Sequence, residues 1–354
     1  MITSPKYRIL CVGENWLGSD ARASFFAFRR MGHSIHIIDE REFVPVKWQS
    51  LHLKIIRKLV RESAVRELAK QACELVNTFK PHLLFVFKGN SVYPSLVDYC
   101  KIHGVATANY YPDISFMVHG PYIPRTIPLY DYVFTTKSFG IEDMKSQLGV
   151  KNISFLEPGF DPEIHRPIHL TDEDYSVYGC DVTFIGTWSP KKEMLLTHLI
   201  KSIPQLRLKI WGCQWEKADT PELCGAIMGH EVIGDEYTKA ILGSSICLGL
   251  LSEQRLGATS GDLITARTFQ IPACGAFMLH ERTSEIVDYF EEGSEITLFS
   301  SAEELSSRVR YYLSHQKERE IMAENGRKRS LQDGYSIDNR MGKIIEWLNG
   351  RIAH

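Results

Sequence analysis

No stretch of the 354-residue chain approaches the ~20 consecutive apolar residues that a membrane-spanning helix needs. The opening residues, MITSPKYR, carry no apolar core of the kind a secretory leader has. Charge of one sign is also missing. The 41 lysines and arginines nearly balance 43 aspartates and glutamates, for a formal charge of -2, which argues against a protein that coats nucleic acid. A local basic pocket stays open. The eight cysteines (Cys11, Cys73, Cys100, Cys180, Cys213, Cys224, Cys247, Cys274) form no C-x-x-C pair, so neither a zinc knuckle nor a redox dithiol is indicated. Several stand in apolar runs such as RILCVG and SSICLGLL, where a thiol packs as a small hydrophobe. A reducing, cytoplasmic setting is the expectation, with at most peripheral contact with a membrane. Short-period repeats and low-complexity tracts are absent too.

What is present is a rhythm of short apolar strands and amphipathic helices. Length comes first: 354 residues exceed the ~250–300 at which one core stops growing, so two domains are expected. Strands are expected over 8–13 (RILCVG), 33–39, 82–87 (HLLFVF), 105–110 and 132–136, with helices over 21–31, 54–79 and 95–103 between them. Residues 156–167 (LEPGFDPEIHRP) hold three prolines and a glycine without periodicity, and read as a linker. The rhythm restarts at 180–185 (CDVTFI), 207–211 (RLKIW), 245–251 and 276–279, with helices near 191–202, 265–274, 284–291, 302–313 and 316–331. Uniformly apolar strands alternating with helices imply parallel sheets covered on both faces. The expected architecture is therefore two Rossmann-like, doubly wound domains, 1–160 and 168–337, facing across a cleft. A C-terminal helix over 338–354, containing KIIEWL, would pack back on the first. In open α/β sheets ligands lie outside the carboxyl ends of the strands.

Three stretches of the second half carry chemistry at such ends. In GTWSPKK, Gly186 and Thr187 follow a strand and open a helix, where backbone N–H groups favour an anion and Lys191 and Lys192 add charge. An ordinary turn with two solvated lysines is the plain alternative. In WGCQW, Trp211 and Gly212 end the next strand and read either as a nucleobase slot or as core. The string GDLITARTFQIPACGAFML (261–279) is the most specific. Arg267 and Thr268 stand near a helix start, where an arginine can pair with phosphate, and small residues follow at Ala273, Cys274 and Gly275.

Together, RTFQIPACGAFML, the following ERTSEIVDYFEEGSEITLFSSAEELSSRVRYYL, and the earlier FIGTWSPKKEMLL, KIWGCQW and YDYVFTTKSFGIEDMKSQLGVKNISFLEPGFDPEIHRP resemble the spore-maturation (CgeB-type) glycosyltransferases. The resemblance covers nearly the whole chain, most densely 130–335. It implies a GT-B enzyme of the α/β class that uses a nucleotide-sugar donor (UDP-, GDP- or dTDP-linked). The second domain would hold the donor, without a metal or other cofactor, because helix dipole and basic side chains neutralise the leaving diphosphate. Related retaining enzymes carry Glu-x7-Glu before a Cys-Gly turn. On that pattern the sugar-contacting position falls on Asp262 and the ribose-binding one on Gln270, where the relatives usually have Glu.

The acceptor (a sugar, glycan, protein or small molecule, with no nucleic acid expected) would face the first domain. Asp113, in NYYPDISF after a strand, is a candidate base there, and an Asx-turn residue on the other reading. Glu14, Asp20, Lys88-Gly89-Asn90, His33 and His119 are weaker candidates. A D-x-D at Asp172–Asp174 matches the pattern that holds Mn²⁺ or Mg²⁺ elsewhere. Placed in the linker before a strand, it reads as solvated charge. Two other functions fit the same residues: a weakened relative that binds sugars without transferring them, and a nucleotide-sugar epimerase. GENWLGSD is no G-x-G-x-x-G fingerprint, so a nicotinamide enzyme is not indicated.

Overall fold

The computed structural model describes residues 5–43 and 51–352, the side chains of 51–60 excepted. It divides into two compact units. One comprises residues 1–157, 255–260 and 337–354; the other comprises 158–254 and 261–336. The start of the helix expected over 54–79 and the last two residues of the one expected over 338–354 lie outside the described side chains and residues.

The first unit runs β1 (Arg8–Gly13), α1 (Asp20–Arg30), β2 (Ser34–Asp39), α2 (Glu40–Phe43), α3 (Leu51–Thr78), β3 (Leu83–Phe87), α4 (Pro94–Ile102), β4 (Ala106–Tyr111), α5 (Ile123–Thr126), β5 (Tyr132–Thr135), α6 (Gly140–Leu148) and β6 (Ile153–Phe155). Its sheet is all parallel in the order β2-β1-β3-β4-β5-β6. Strands such as RILCVG and LLFVF are apolar on both sides because both faces are covered. On one face Leu10, Val12, Leu84 and Val86 pack with Leu68, Ala72, Leu96 and Val97 of α3 and α4. On the other, Ile9, Cys11, Leu83 and Phe85 pack with Phe25 and Phe28 of α1. α1 begins where Ser19 Oγ accepts the Arg22 N–H, and Asp20 in its first turn suits the helix dipole. The edge pair α6–β6, which the sequence reading passed over, is short: β6 has three residues, too few for a visible period.

The second unit runs α7 (Asp172–Tyr178), β7 (Cys180–Ile185), α8 (Pro190–Ser202), β8 (Leu208–Trp211), α9 (Asp235–Leu242), β9 (Ser244–Gly249), α10 (Ala266–Ala273), β10 (Met278–Glu281), α11 (Ile286–Tyr289), β11 (Thr297–Phe299), α12 (Ala302–Ser314) and α13 (Gln316–Gln332). Its parallel sheet has the order β11-β10-β9-β7-β8. Leu195, Leu196 and Leu199 of α8 and Leu305 and Val309 of α12 pack with Val182, Phe184, Ile210 and Leu248. The chain then returns to the first unit as α14 (Ile337–Ile352). Ile337, Met341, Ile344 and Leu348 join the α1 face of the core, and Arg30 pairs with Asp338 at 2.5 Å.

The segment 156–167 has no regular element, apart from a bridge from Phe160 to Ser336. The D-x-D does not lie in that linker. Asp172 and Asp174 occupy the first turn of α7, where Thr171 Oγ1 accepts the Asp174 N–H and the Asp174 carboxylate accepts the Thr171 N–H. Asp174 also pairs with Lys239 at 2.9 Å. This is a capping box that accounts for Asp174, and Asp172 is a first-turn acid that suits the helix dipole.

Candidate donor site in the second unit and a carboxylate cluster in the first

In each sheet the strand order reverses once, between β7 and β9 in the second unit and between β1 and β3 in the first. The carboxyl ends of such a pair leave a crevice for ligand.

In the second unit this crevice collects cations. Gly186 ends β7. A Cβ there would stand 2.9 Å from Arg267 Nη1 and 2.9 Å from Phe184 Cζ. The missing side chain is what lets the Arg267 guanidinium lie over Phe184, 5.3 Å from the ring centre. Arg267 Nη2 also donates to the carbonyl of Leu250, just past β9, at 2.8 Å. Lys192, in the first turn of α8, donates from Nζ to the Thr187 carbonyl at 3.1 Å and to Ser252 Oγ at 2.8 Å. Burial and the neighbouring Arg267 lower the Lys192 pKa to about 8, against the pull of Asp262, Glu253 and Glu281. Lys191 reaches Glu281 Oε2 at 2.5 Å, and Glu281 Oε1 accepts the Leu251 N–H at 2.6 Å. Asp262 and Ser252 are tied by Asp262 N–H to the Ser252 carbonyl at 2.9 Å and Ser252 N–H to Asp262 Oδ2 at 3.2 Å. Gly186, Lys191, Lys192, Asp262 and Arg267 thus gather around the ends of β7 and β9. Ser252 and Glu281 join them and were missed. The one available signal for Glu281 was an acidic residue at the end of the strand MLHE.

Other expected site residues have structural work instead. Trp211 is buried, its ring 5.1 Å from His230 and 5.8 Å from Tyr178, and it packs with the core. Gly212, at φ 127°, backs directly on Gly186; a Cβ would stand 2.3 Å from the Gly186 carbonyl oxygen. Thr187 bonds through its hydroxyl to Cys213 Sγ at 3.2 Å. Thr268 is fully buried: its Oγ1 accepts the Thr265 N–H at 3.0 Å and contacts His280 Nε2 at 2.9 Å. That makes Thr268 a helix cap and an anchor to β10. Burial lowers the His280 pKa to about 4, and Gly249 leaves the space its ring occupies. Gln270 is buried, and its Oε1 accepts the Tyr237 hydroxyl at 2.8 Å. Arg267 and Gln270 share a helix, and they bond to the Leu250 carbonyl past β9 and to Tyr237 of α9 respectively.

In the first unit, Asp113 follows β4 and is held between Lys88 Nζ at 2.8 Å and His119 Nε2 at 3.2 Å. Burial lowers the His119 pKa, with Asp113 opposing and Lys88 and Arg255 adding to the shift. Lys88 has φ 63°, a left-handed conformation that costs a non-glycine residue about 1 kcal/mol or more. Gly89 follows at φ 90°. His33 lies away from this cluster, accepting the Tyr7 N–H through Nδ1 at 3.2 Å. Asp20 serves the α1 N-terminus. Asp113, Lys88 and His119 are brought together, then, and His33 and Asp20 are not.

Residues 191–346 match the glycosyl transferase-like family model. The chain carries a glycosyl transferase-like domain. The match begins at Lys191 and takes in Lys192, Ser252, Asp262, Arg267 and Glu281 of the β7/β9 crevice. No curated protein matches the sequence. Among solved structures, the chain is similar to sucrose-phosphate synthase of Thermosynechococcus elongatus (TM-score 0.66, 12% identity, covering 98% of this chain and 100% of that one). It is similar also to a glycosyltransferase of Rickettsia africae (0.65, 12%, 98% and 98%). A third is HepE of Anabaena, solved with UDP and glucose (0.63, 13%, 97% and 100%). Such low identities speak for the fold, and the fold is GT-B: two Rossmann-like domains in one chain.

Among the described residues no helix is long and apolar enough to cross a membrane. All eight cysteines are free thiols.

Proposed function

We propose that the protein transfers a glycosyl group from a nucleoside-diphosphate sugar, with the diphosphate held in the β7/β9 crevice of the second unit. The observation that carries this reading is Arg267, seated over Gly186 by its bond to the Leu250 carbonyl, with Lys192 in the same crevice. Two cations and the N-terminus of α8 face the position where a leaving diphosphate gathers charge. Lys191, now paired with Glu281, is a third cation within the same group. Asp262, fixed against Ser252, is the carboxylate proposed to meet the sugar.

A uridine diphosphate sugar is the first donor to test, since a structural neighbour is described with UDP and glucose. On the acceptor side Asp113 is the proposed base, oriented by Lys88 and His119. We further place the chain among spore-maturation-type transferases on the strings quoted above, and expect transfer to need no added divalent ion. The test is a transfer assay with UDP-, GDP- and dTDP-sugars against candidate glycans, with and without chelator. Release of nucleoside diphosphate with sugar incorporation supports the reading. Epimerised donor with no transfer, or no turnover of any nucleotide sugar, overturns it.

A further inference from the structure

Glu40 is a buried carboxyl that the functional reading leaves unused. It opens α2 at the carboxyl end of β2, and it is 5% exposed. Its Oε1 accepts the backbone N–H of Ser91 at 2.9 Å, and Ser91 is itself buried. The turn that Ser91 closes is the Lys88–Gly89–Asn90 turn after β3, with two successive positive φ values. Its first residue sends the ammonium to Asp113. The turn is held at one end by Lys88 N–H to the Tyr110 carbonyl, 2.9 Å, and by Asn109 Nδ2 to the Lys88 carbonyl, 3.2 Å. Arg61 Nη2 reaches the Asn90 carbonyl at 3.3 Å. At the Ser91 end the side-chain anchor is Glu40.

We infer that Glu40 is a positioning residue for Asp113, acting through the Lys88–Ser91 turn. This rests on Asp113 being the acceptor-side carboxylate proposed above. Its protonation state grades the grip. An ionised carboxylate accepts the Ser91 N–H more strongly than a neutral one and draws on the Lys88 ammonium that Asp113 also holds. The groups facing it among the described residues are Glu14 from β1, Asp39 from β2, Lys88 from β3 and Tyr130 before β5. Burial, opposed by the Ser91 N–H and joined by Glu14, raises the Glu40 pKa to about 7.

The experiment follows hydrogen exchange at the Ser91 amide in the full chain from pH 5.5 to 8.5, expressed as protection. The parent should gain roughly five- to tenfold protection on passing through neutrality, the step from a neutral to a charge-assisted bond. Glu40→Gln, which keeps an acceptor oxygen, should hold Ser91 at the low-pH level throughout. Glu40→Ala should lose protection at every pH. A Glu40→Gln profile that rises like the parent's, or a Glu40→Ala amide as protected as the parent's, overturns the inference. Transfer activity read alongside should differ in pH profile between parent and Glu40→Gln, and equal profiles also overturn it. A parent that turns over no nucleotide sugar refutes the proposed function instead, with the Ser91 exchange still deciding the role of Glu40.

Discussion

Replacing Lys192 by methionine separates binding from stability. Lys192 is 3% exposed, and its pKa falls from 10.5 to about 8. At about 1.4 kcal/mol per unit, the folded protein disfavours this charge by about 3 kcal/mol near neutrality. Methionine removes that cost and keeps much of the stem's packing. It forfeits two hydrogen bonds, to the Thr187 carbonyl and Ser252 Oγ, at about 0.5–1.5 kcal/mol each. The variant should therefore be from equal to about 2 kcal/mol more stable by denaturant unfolding. UDP binding, measured by calorimetry, should weaken by about 1.5–3 kcal/mol, or roughly 10- to 150-fold, as a charge-assisted contact is lost. The pH dependence has a definite sign. The folded pKa lies below the unfolded one, so between about 8 and 10.5 the unfolded chain binds more protons. Stability of the ligand-free parent should then rise through that window from this group, and the variant should lack the rise. UDP affinity of the parent should fall above pH 8 as Lys192 loses its charge. A variant that binds UDP like the parent would remove Lys192 from the donor site, and one destabilised by more than about 2 kcal/mol would show that its charge stabilises the fold.

Three further substitutions probe neighbouring parts. Gly186→Ala places a methyl 2.9 Å from Arg267 Nη1 and Phe184 Cζ; it should cost about 1–3 kcal/mol of stability and weaken UDP binding, both read by thermal shift with and without nucleotide. Thr268→Val removes the cap on the Thr265 N–H and the bond to His280, and should cost about 1–3 kcal/mol of stability with UDP affinity unchanged, the opposite balance to Lys192→Met. Asp113→Asn should leave UDP binding intact and lower transfer by at least about 100-fold if Asp113 is the base; an unchanged rate would remove it from that role.

The fold was legible because its signals are local and redundant. LLFVF is apolar throughout and RILCVG nearly so, and helices such as α1 keep an apolar face at helical spacing. What escaped was short: α2, α6, β6 and α7 span three to nine residues each, less than a period can establish. At the site, Gly186, Lys192 and Arg267 could be found because a strand-ending glycine and a helix start are written in consecutive residues. Burial is different, being set by residues distant in the chain. Trp211, Thr268 and Gln270 lie near the crevice in sequence, yet Tyr178, His280 and Tyr237 occupy their polar or aromatic faces. The same reason hid Ser252, Glu281 and Glu40, whose partners stand 60, 90 and 51 residues away.

Donor binding in the β7/β9 crevice is tested most directly by calorimetric titration of the full chain with UDP, for the parent and for Arg267→Ala. A single site is expected in the parent, and Arg267→Ala should weaken it by roughly 10- to 150-fold while the protein remains folded. No binding of UDP or any other nucleoside diphosphate by the parent, or equal binding by a folded Arg267→Ala variant, would contradict donor binding there.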